Sequence, residues 1–319
     1  MINLNIKILK KPSPATSNLV LFSTVRNEIY FIKHFIQHYR KLGIREYWFL
    51  DDHSTDGTLE FLAEQVDCGI IRTNVRFGEE YQGKRFGIQA RTLIPRKLFL
   101  DKWVLTADAD EFLIIPPEFN SLEEITTMLD KIGLKAARAI MVDFFPKKLN
   151  LINSHSTQTH PFICNPYYDS CPDLDWPDLA PQPQQSINIH GVRVRLVQKL
   201  LEENLEMRNL KKDYKYANFN KIPLVRWSNS TTALTAHHIN EPTSSKIQLM
   251  FAHFKFYPGI QARIQEAIET KAYWNNSIEY KFLKLAMTHL DNWDLAGPNT
   301  HKYSGTEDLV KYKLINYLP

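Results

Sequence analysis

The first hundred residues alternate between two hydrophobic periods. Leu19-Val-Leu-Phe-Ser-Thr-Val25 is an apolar run of strand length, and Ile29, Ile32, Phe35, Ile36 and Tyr39 follow at helical spacing. Tyr47-Trp-Phe-Leu50 is a second apolar run, and Leu59, Leu62 and Ala63 follow on a helical stripe. Gly69-Ile-Ile-Arg72 is a third. Phe86, Ala90, Leu93 and Leu98 then recur at helical spacing through Lys84 to Leu100, with Pro95 weakening the last turns. Asn27 is a fair N-cap and Gly43 a fair helix stop. This alternation predicts a parallel sheet with helices on its faces. In such sheets ligands bind beyond the carboxyl ends of the strands.

The polar residues gather at those ends: Thr24 to Glu28, Asp51 to Thr58, and Asp108 to Glu111. The last group follows the short buried strand Trp103-Val-Leu105, and Phe112 to Ile115 turns apolar again. Three carboxylates in four residues raise one another's pKa unless a cation lies between them. Asp108 and Asp110 are two apart, so on an extended chain they point the same way and can reach one divalent metal. A lone D-x-D is more often a solvated acidic turn. Here the apolar flanks place it at the mouth of a core. Asp51, Asp52 and Ser54 alone would be read as helix caps, but three strand ends together point to a site.

Composition excludes more than it assigns. The 319 residues are 44% hydrophobic and 23% charged, with a net charge of +4. That is ordinary for a soluble globular protein and is no nucleic-acid signature. No G-x-G-x-x-G and no P-loop motif is present. Cys68, Cys164 and Cys171 are too few and too scattered for a disulfide framework or a zinc site. A reducing cytoplasm is the expected home, with peripheral contact at the inner face of the membrane left open. The first residues have no apolar leader, and no run of 18 apolar residues suggests a membrane span.

Further along, Ser121 to Ile132 is expected to be a helix whose Ser121 and Glu124 form a capping box. Ala139 to Val142 is expected to be a strand. Residues 153–186 are Pro-rich and aperiodic and are expected to form a long functional loop. Tyr167-Tyr-Asp169 and Asp173-Leu-Asp-Trp-Pro-Asp178 mix aromatic rings with carboxylates, which suits sugar binding. Ile187 to Leu200, containing Arg193 and Arg195, alternates like a strand, and Lys221 to Trp227 is another. Residues 259–319 are expected to be helical.

Three of these segments together resemble the family 2-like glycosyltransferases: Val25-Arg-Asn-Glu28, Asp51-Asp-His-Ser-Thr-Asp-Gly-Thr58 and Asp108-Ala-Asp-Glu-Phe112. The nearest branch is bacterial and shares R-N-E, D-x-x-S-x-D-G-T and D-x-D-E-F motifs. The resemblance covers roughly the first 115 residues. Gly191 to Arg195, Lys221 to Trp227, His237-His238 and His253-Phe-Lys255 are similar too. It implies a GT-A (Rossmann-like) fold: α/β, with a mostly parallel central sheet flanked by helices and a helical C-terminal region. The catalytic domain would span 1–258, with a nucleotide-sugar half at about 16–115 and an acceptor half at about 135–258. Residues 259–319 would pack on it.

The resemblance also implies an activity. A hexosyltransferase-type enzyme, inverting in most of the family, would move sugar from a UDP-sugar to a glycan, lipid or other hydroxyl acceptor. Polysaccharide biosynthesis is the expected setting. Thr24 and Asp52 match positions that hold the base and ribose. Arg26 and Asn27 belong to the same nucleotide site, and Lys84, Arg85 or Arg91 would meet phosphate or base. Asp108 matches the first motif aspartate, near ribose and metal, and Asp110 the principal ligand of Mn²⁺ or Mg²⁺. His238 or His253 would complete the metal shell. Asp173, Asp175 or Asp178 would supply the carboxylate base for the acceptor hydroxyl. Glu111 stands where many members have a small residue. The loop 153–186 is expected to border the site and to order when donor binds. A sugar nucleotidyltransferase and a non-catalytic carbohydrate-binding protein are the alternatives. The first lacks its usual Gly-rich basic loop here, and the intact Asp108/Asp110 pair argues against the second.

Overall fold

The computed structural model describes residues 4–13, 17–170, 191–203, 220–271 and 273–319, the side chain at 274 apart. Asp173, Asp175, Asp178 and Trp176 lie outside the described residues.

In chain order the first half comprises β1 (Ile6–Lys10), β2 (Leu19–Val25), α1 (Ile29–Lys41), β3 (Tyr47–Asp51), α2 (Thr58–Glu64) and β4 (Cys68–Thr73). A small hairpin of β5 (Glu80–Tyr81) and β6 (Lys84–Arg85) leads into α3 (Phe86–Leu98), then β7 (Trp103–Thr106) and β8 (Glu111–Ile114). The second half holds α4 (Leu122–Lys131), β9 (Ala136–Phe145), a 3₁₀ turn at Leu149–Ser154, α5 (Pro161–Cys164), β10 (Tyr167–Asp169) and α6 (Val192–Glu203). It ends with β11 (Asn220–Arg226), β12 (Ile247–Phe254), helices Ile260–Thr270 and Trp274–His289, β13 (Thr300–Lys302), helix Thr306–Lys311 and β14 (Asn316–Tyr317).

These strands form a large central sheet flanked by helices, ordered β1-β4-β3-β2-β7-β11-β9-β10-β13, with β12 beside β9 and bridging to β8 and β14. The expected α/β architecture is what the chain adopts. The run β4-β3-β2-β7 is parallel, as the alternation predicted, and β12 pairs parallel with β9. The strands that extend the sheet from β7, beginning with β11, add antiparallel ladders.

Burial on both faces explains the continuous apolar strands. Leu19 and Leu21 of β2, Tyr47 and Phe49 of β3, and Trp103 and Leu105 of β7 join one core beneath α1. Their alternates Val20, Phe22, Trp48, Leu50 and Val104 join the opposite core with Phe86, Ala90 and Ile94 of α3. A third core lies under the C-terminal helices. Gly43 stops α1 in left-handed backbone at φ 89°, as expected. Ser121 accepts from the Glu124 amide, as a capping box requires, but the Glu124 carboxylate turns to the Asn120 amide instead.

Three expectations are corrected. Asn27 does not cap α1. The N-cap is Glu28, and the Ile29 amide donates to Asp56 of the D-G-T block. The stretch Ile187 to Leu200 is not a strand where it is described: it is helix α6. Val192, Leu196, Val197 and Leu200 repeat at helical spacing and pack in the C-terminal core. The alternation of Val192, Val194 and Leu196 hid that period. Nor is the described part of the 153–186 loop, residues 153–170, irregular throughout. Phe162 of α5 stacks in an aromatic cluster with Phe254 and Tyr303, and β10 pairs with β9 and β13. Tyr168 is buried, and Asp169 forms an ion pair with Arg195 at 2.9 Å and accepts from Thr300 at 2.6 Å. Tyr168 and Asp169 are therefore core rather than sugar platform, while the second segment of that expectation, 173–178, lies outside the described residues. The C-terminal region is helical as expected, with β13 and β14 added.

Candidate functional site

Three adjacent strands place one row of titratable side chains. Glu111 of β8 is in register with His253 of β12, and His253 is in register with Asp143 of β9. Residues in register on adjacent strands share a face. His253 Nδ1 lies 2.6 Å from Asp143 Oδ1, which leaves Nε2 aimed at Asp110, 3.5 Å from its Oδ2. The Asp110 carbonyl accepts from the Phe254 amide at 2.9 Å, which ties the acidic turn to the end of β12. Asp110, Glu111 and His253 each offer a ligand atom within 4.8 Å of the others.

Cations converge on these acids from three directions. Arg91 of α3 binds Asp108. Lys221 of β11 binds Glu111 and lies 3.7 Å from Asp108. Lys255, just past β12, donates to Asp110 Oδ2 at 3.0 Å. Behind them Arg193 of α6 spans Asp143 at 2.6 Å and Glu279 at 2.7 Å.

Burial penalises the charged carboxylates, but Lys255 and then His253 hold Asp110 well below its ordinary pKa, and Arg91 and Lys221 hold Asp108 low. Glu111 is raised: burial outweighs the pull of Lys221, with Asp108 and Asp110 adding repulsion. His253 is lowered by burial and by Lys255, yet Asp110 and Asp143 bring its net shift upward. Asp108 and Asp110 therefore stay ionised, each beside a buried cation.

The nucleotide-side candidates cluster separately at the ends of β2 and β3. Asp52, almost wholly buried, accepts from Arg26 Nη1 at 3.2 Å and Arg76 Nε at 2.7 Å. Arg26 also pairs with Glu266, and Asn27 donates to Glu266 while accepting from the Thr55 amide at 2.8 Å. Asn27 holds φ 55°, a left-handed conformation that asparagine tolerates. Thr24 is half-buried near the end of β2. Glu28 is half-buried against Arg263, and desolvation, partly offset by that arginine, raises its pKa to about 7.

Lys84 and Arg85 form β6, and of the three basic candidates it is Arg91 that binds Asp108. His238 lines a narrow cavity of about 20 Å³ with Arg91, Lys221 and His237, and it is not part of the Asp110 donor group. A larger cavity of about 330 Å³ lies away from the acids, between the 3₁₀ turn and helix Ile260–Thr270. It gathers no acid–base cluster, so the side-chain geometry and not cavity size marks the site.

Sequence reasoning passed over Arg76, Asp143, Glu266, Arg263 and Glu279, which stand far from the motifs they serve. Lys221 and Lys255 stand inside the segments 221–227 and 253–255, where two lysines flanking apolar strands were the available signal.

No family model matches the chain, and no curated protein does. Among solved structures, S. aureus TarS is similar over 39% of this chain and 21% of that chain, at 14% identity and TM-score 0.29. S. aureus TarS 1–349 in complex with UDP is similar over 39% and 34%, at 14% identity and TM-score 0.28. TarS 1–349 alone is similar over 85% and 72%, at 13% identity and TM-score 0.35. The chain thus spans about a fifth and a third of the first two.

Proposed function

We propose that this protein is a metal-dependent glycosyltransferase of GT-A type that takes a nucleotide-diphosphate sugar, with UDP as the nucleotide. The observation that supports it most is the convergence of Asp108, Asp110, Glu111 and His253 with Arg91, Lys221 and Lys255 where β7, β8 and β12 meet. The donor set fits a divalent cation. Asp110 offers a hard carboxylate oxygen, and His253 offers Nε2 while Asp143 fixes its other nitrogen, as metal-bound histidines require. Mn²⁺ or Mg²⁺ held there would act as a Lewis acid on the departing diphosphate.

The chain's own residues do the rest. Arg91 holds Asp108 toward the ribose side of the acidic turn. Arg26 and Arg76 orient the Asp52 carboxylate at the base. Lys221 holds Glu111 in a buried ion pair, which removes Glu111 as acceptor base. Asp173, Asp175 and Asp178 remain the proposed source of that base. Calorimetric titration with UDP in the presence and absence of Mn²⁺ tests the reading. Metal-dependent UDP binding that disappears in Asp110→Ala is expected. Equal binding by wild type and variant sinks it.

A further inference from the structure

Asp110 Oδ2 is shared. His253 Nε2 lies 3.5 Å from it and Lys255 Nζ 3.0 Å from it. The Lys255 side chain is largely buried. Its Nζ lies against the same carboxylate oxygen that a metal on Asp110 and His253 would use. Two cations on one oxygen in a low-dielectric site repel strongly, so a metal there must loosen the lysine from Asp110. A buried ammonium that loses its partner is costly. Glu279, an acid that acts on Lys255 only through space, is already bonded to Arg193.

We propose that Lys255 couples the divalent cation to a nucleoside diphosphate: released from Asp110 by the metal, it takes a phosphate oxygen as its new partner. This rests on the metal reading above. Metal alone is opposed by the orphaned ammonium, and diphosphate alone meets a lysine already committed to Asp110. Together each removes the obstacle to the other. By linkage the coupling is reciprocal, and couplings of this kind are about 5–150-fold. Lys255 is in this sense a positioning residue whose charge, not shape, carries the effect.

The test is Mn²⁺ binding to the full chain, read by the electron paramagnetic resonance of free Mn²⁺ and corrected for the Mn²⁺–UDP complex. In the wild type, saturating UDP is expected to tighten Mn²⁺ at least tenfold. In Lys255→Met, Mn²⁺ alone is expected to bind several-fold tighter than in the wild type, and the UDP enhancement to fall below threefold. A merely structural lysine would weaken Mn²⁺ when removed. Lys255→Arg keeps the charge, so it guards against a folding defect in the methionine variant and is expected to retain the enhancement. Unchanged or weaker Mn²⁺ binding in Lys255→Met, a preserved enhancement there, or its loss in Lys255→Arg each overturns the proposal and leaves the metal reading standing. Absence of Mn²⁺ binding to the wild type with and without UDP overturns both.

Discussion

His253 Nδ1 lies 2.6 Å from Asp143 Oδ1 across the parallel strands β12 and β9. Asp143 is kept ionised despite burial by Arg193 and by His253 itself, so its pKa lies below the ordinary carboxylate range. The pair fixes which imidazole nitrogen faces Asp110. Asp143→Asn keeps the shape and removes the charge. It is expected to weaken Mn²⁺ binding in the presence of UDP by about 10–100-fold, the usual cost of losing such an orienting carboxylate. A loss under threefold would show that Asp143 serves packing alone.

Lys221 and Glu111 form a buried pair, with side chains 6% and 3% exposed. Removing one partner strands the other charge away from water. Lys221→Met is expected to destabilise the fold by about 3–5 kcal/mol. The double variant Lys221→Met/Glu111→Gln should recover part of that loss, since the orphaned carboxylate is gone. Urea unfolding of the two variants decides it, and equal stability of single and double variants contradicts the account.

Gly69 of β4 has no room for a methyl group. A Cβ there would meet Trp48 Cε3 at 2.6 Å and Pro12 Cδ at 2.9 Å. Trp48 is itself buried against Phe99, so it cannot swing clear. Gly69→Ala is expected to cost about 1–3 kcal/mol as overpacking. A thermal melt unchanged from wild type would mean that the strand shifts freely.

His38 on α1 bonds the Leu113 carbonyl through Nε2 at 2.7 Å and stacks on Phe112. Burial lowers its pKa from 6.5 to about 4, with His160 and Lys41 adding to the effect. The folded pKa is below the unfolded one, so between them the unfolded chain binds more protons. The contribution is fully present above pH 6.5 and is lost as pH falls toward 4, up to about 3 kcal/mol. His38→Gln can still donate to Leu113 and does not titrate. Its urea midpoint should fall less than that of the wild type between pH 7 and pH 5. Parallel losses would assign the acid sensitivity to other groups, His160 first.

The sequence by itself determined the parallel half of the sheet and the place of the acidic motif. Hydrophobic period is local: Leu19 to Phe22, Tyr47 to Leu50 and Trp103 to Leu105 are buried on both faces, so each is a continuous apolar run and each declares itself within one window. The ends of those strands then had to carry the polar residues Arg26, Asp52 and Asp108. Where local periods coincided, the sequence was ambiguous. Val192, Val194 and Leu196 fit an alternating strand as well as a helix, and only packing against the C-terminal core chose the helix. The aromatic content of 153–170 suited a surface platform equally well until Phe162 and Tyr168 met Phe144, Phe254 and Tyr303.

The partners of the acids were decided by tertiary structure alone. Arg91, Lys221 and Lys255 approach from α3, β11 and the end of β12, and Asp143 stands 110 residues from His253. No local pattern records such a pairing. Charge neutralisation acts over a few ångströms in space and is indifferent to separation along the chain, so strand register and crossover, not spacing in the sequence, chose which cation met which carboxylate.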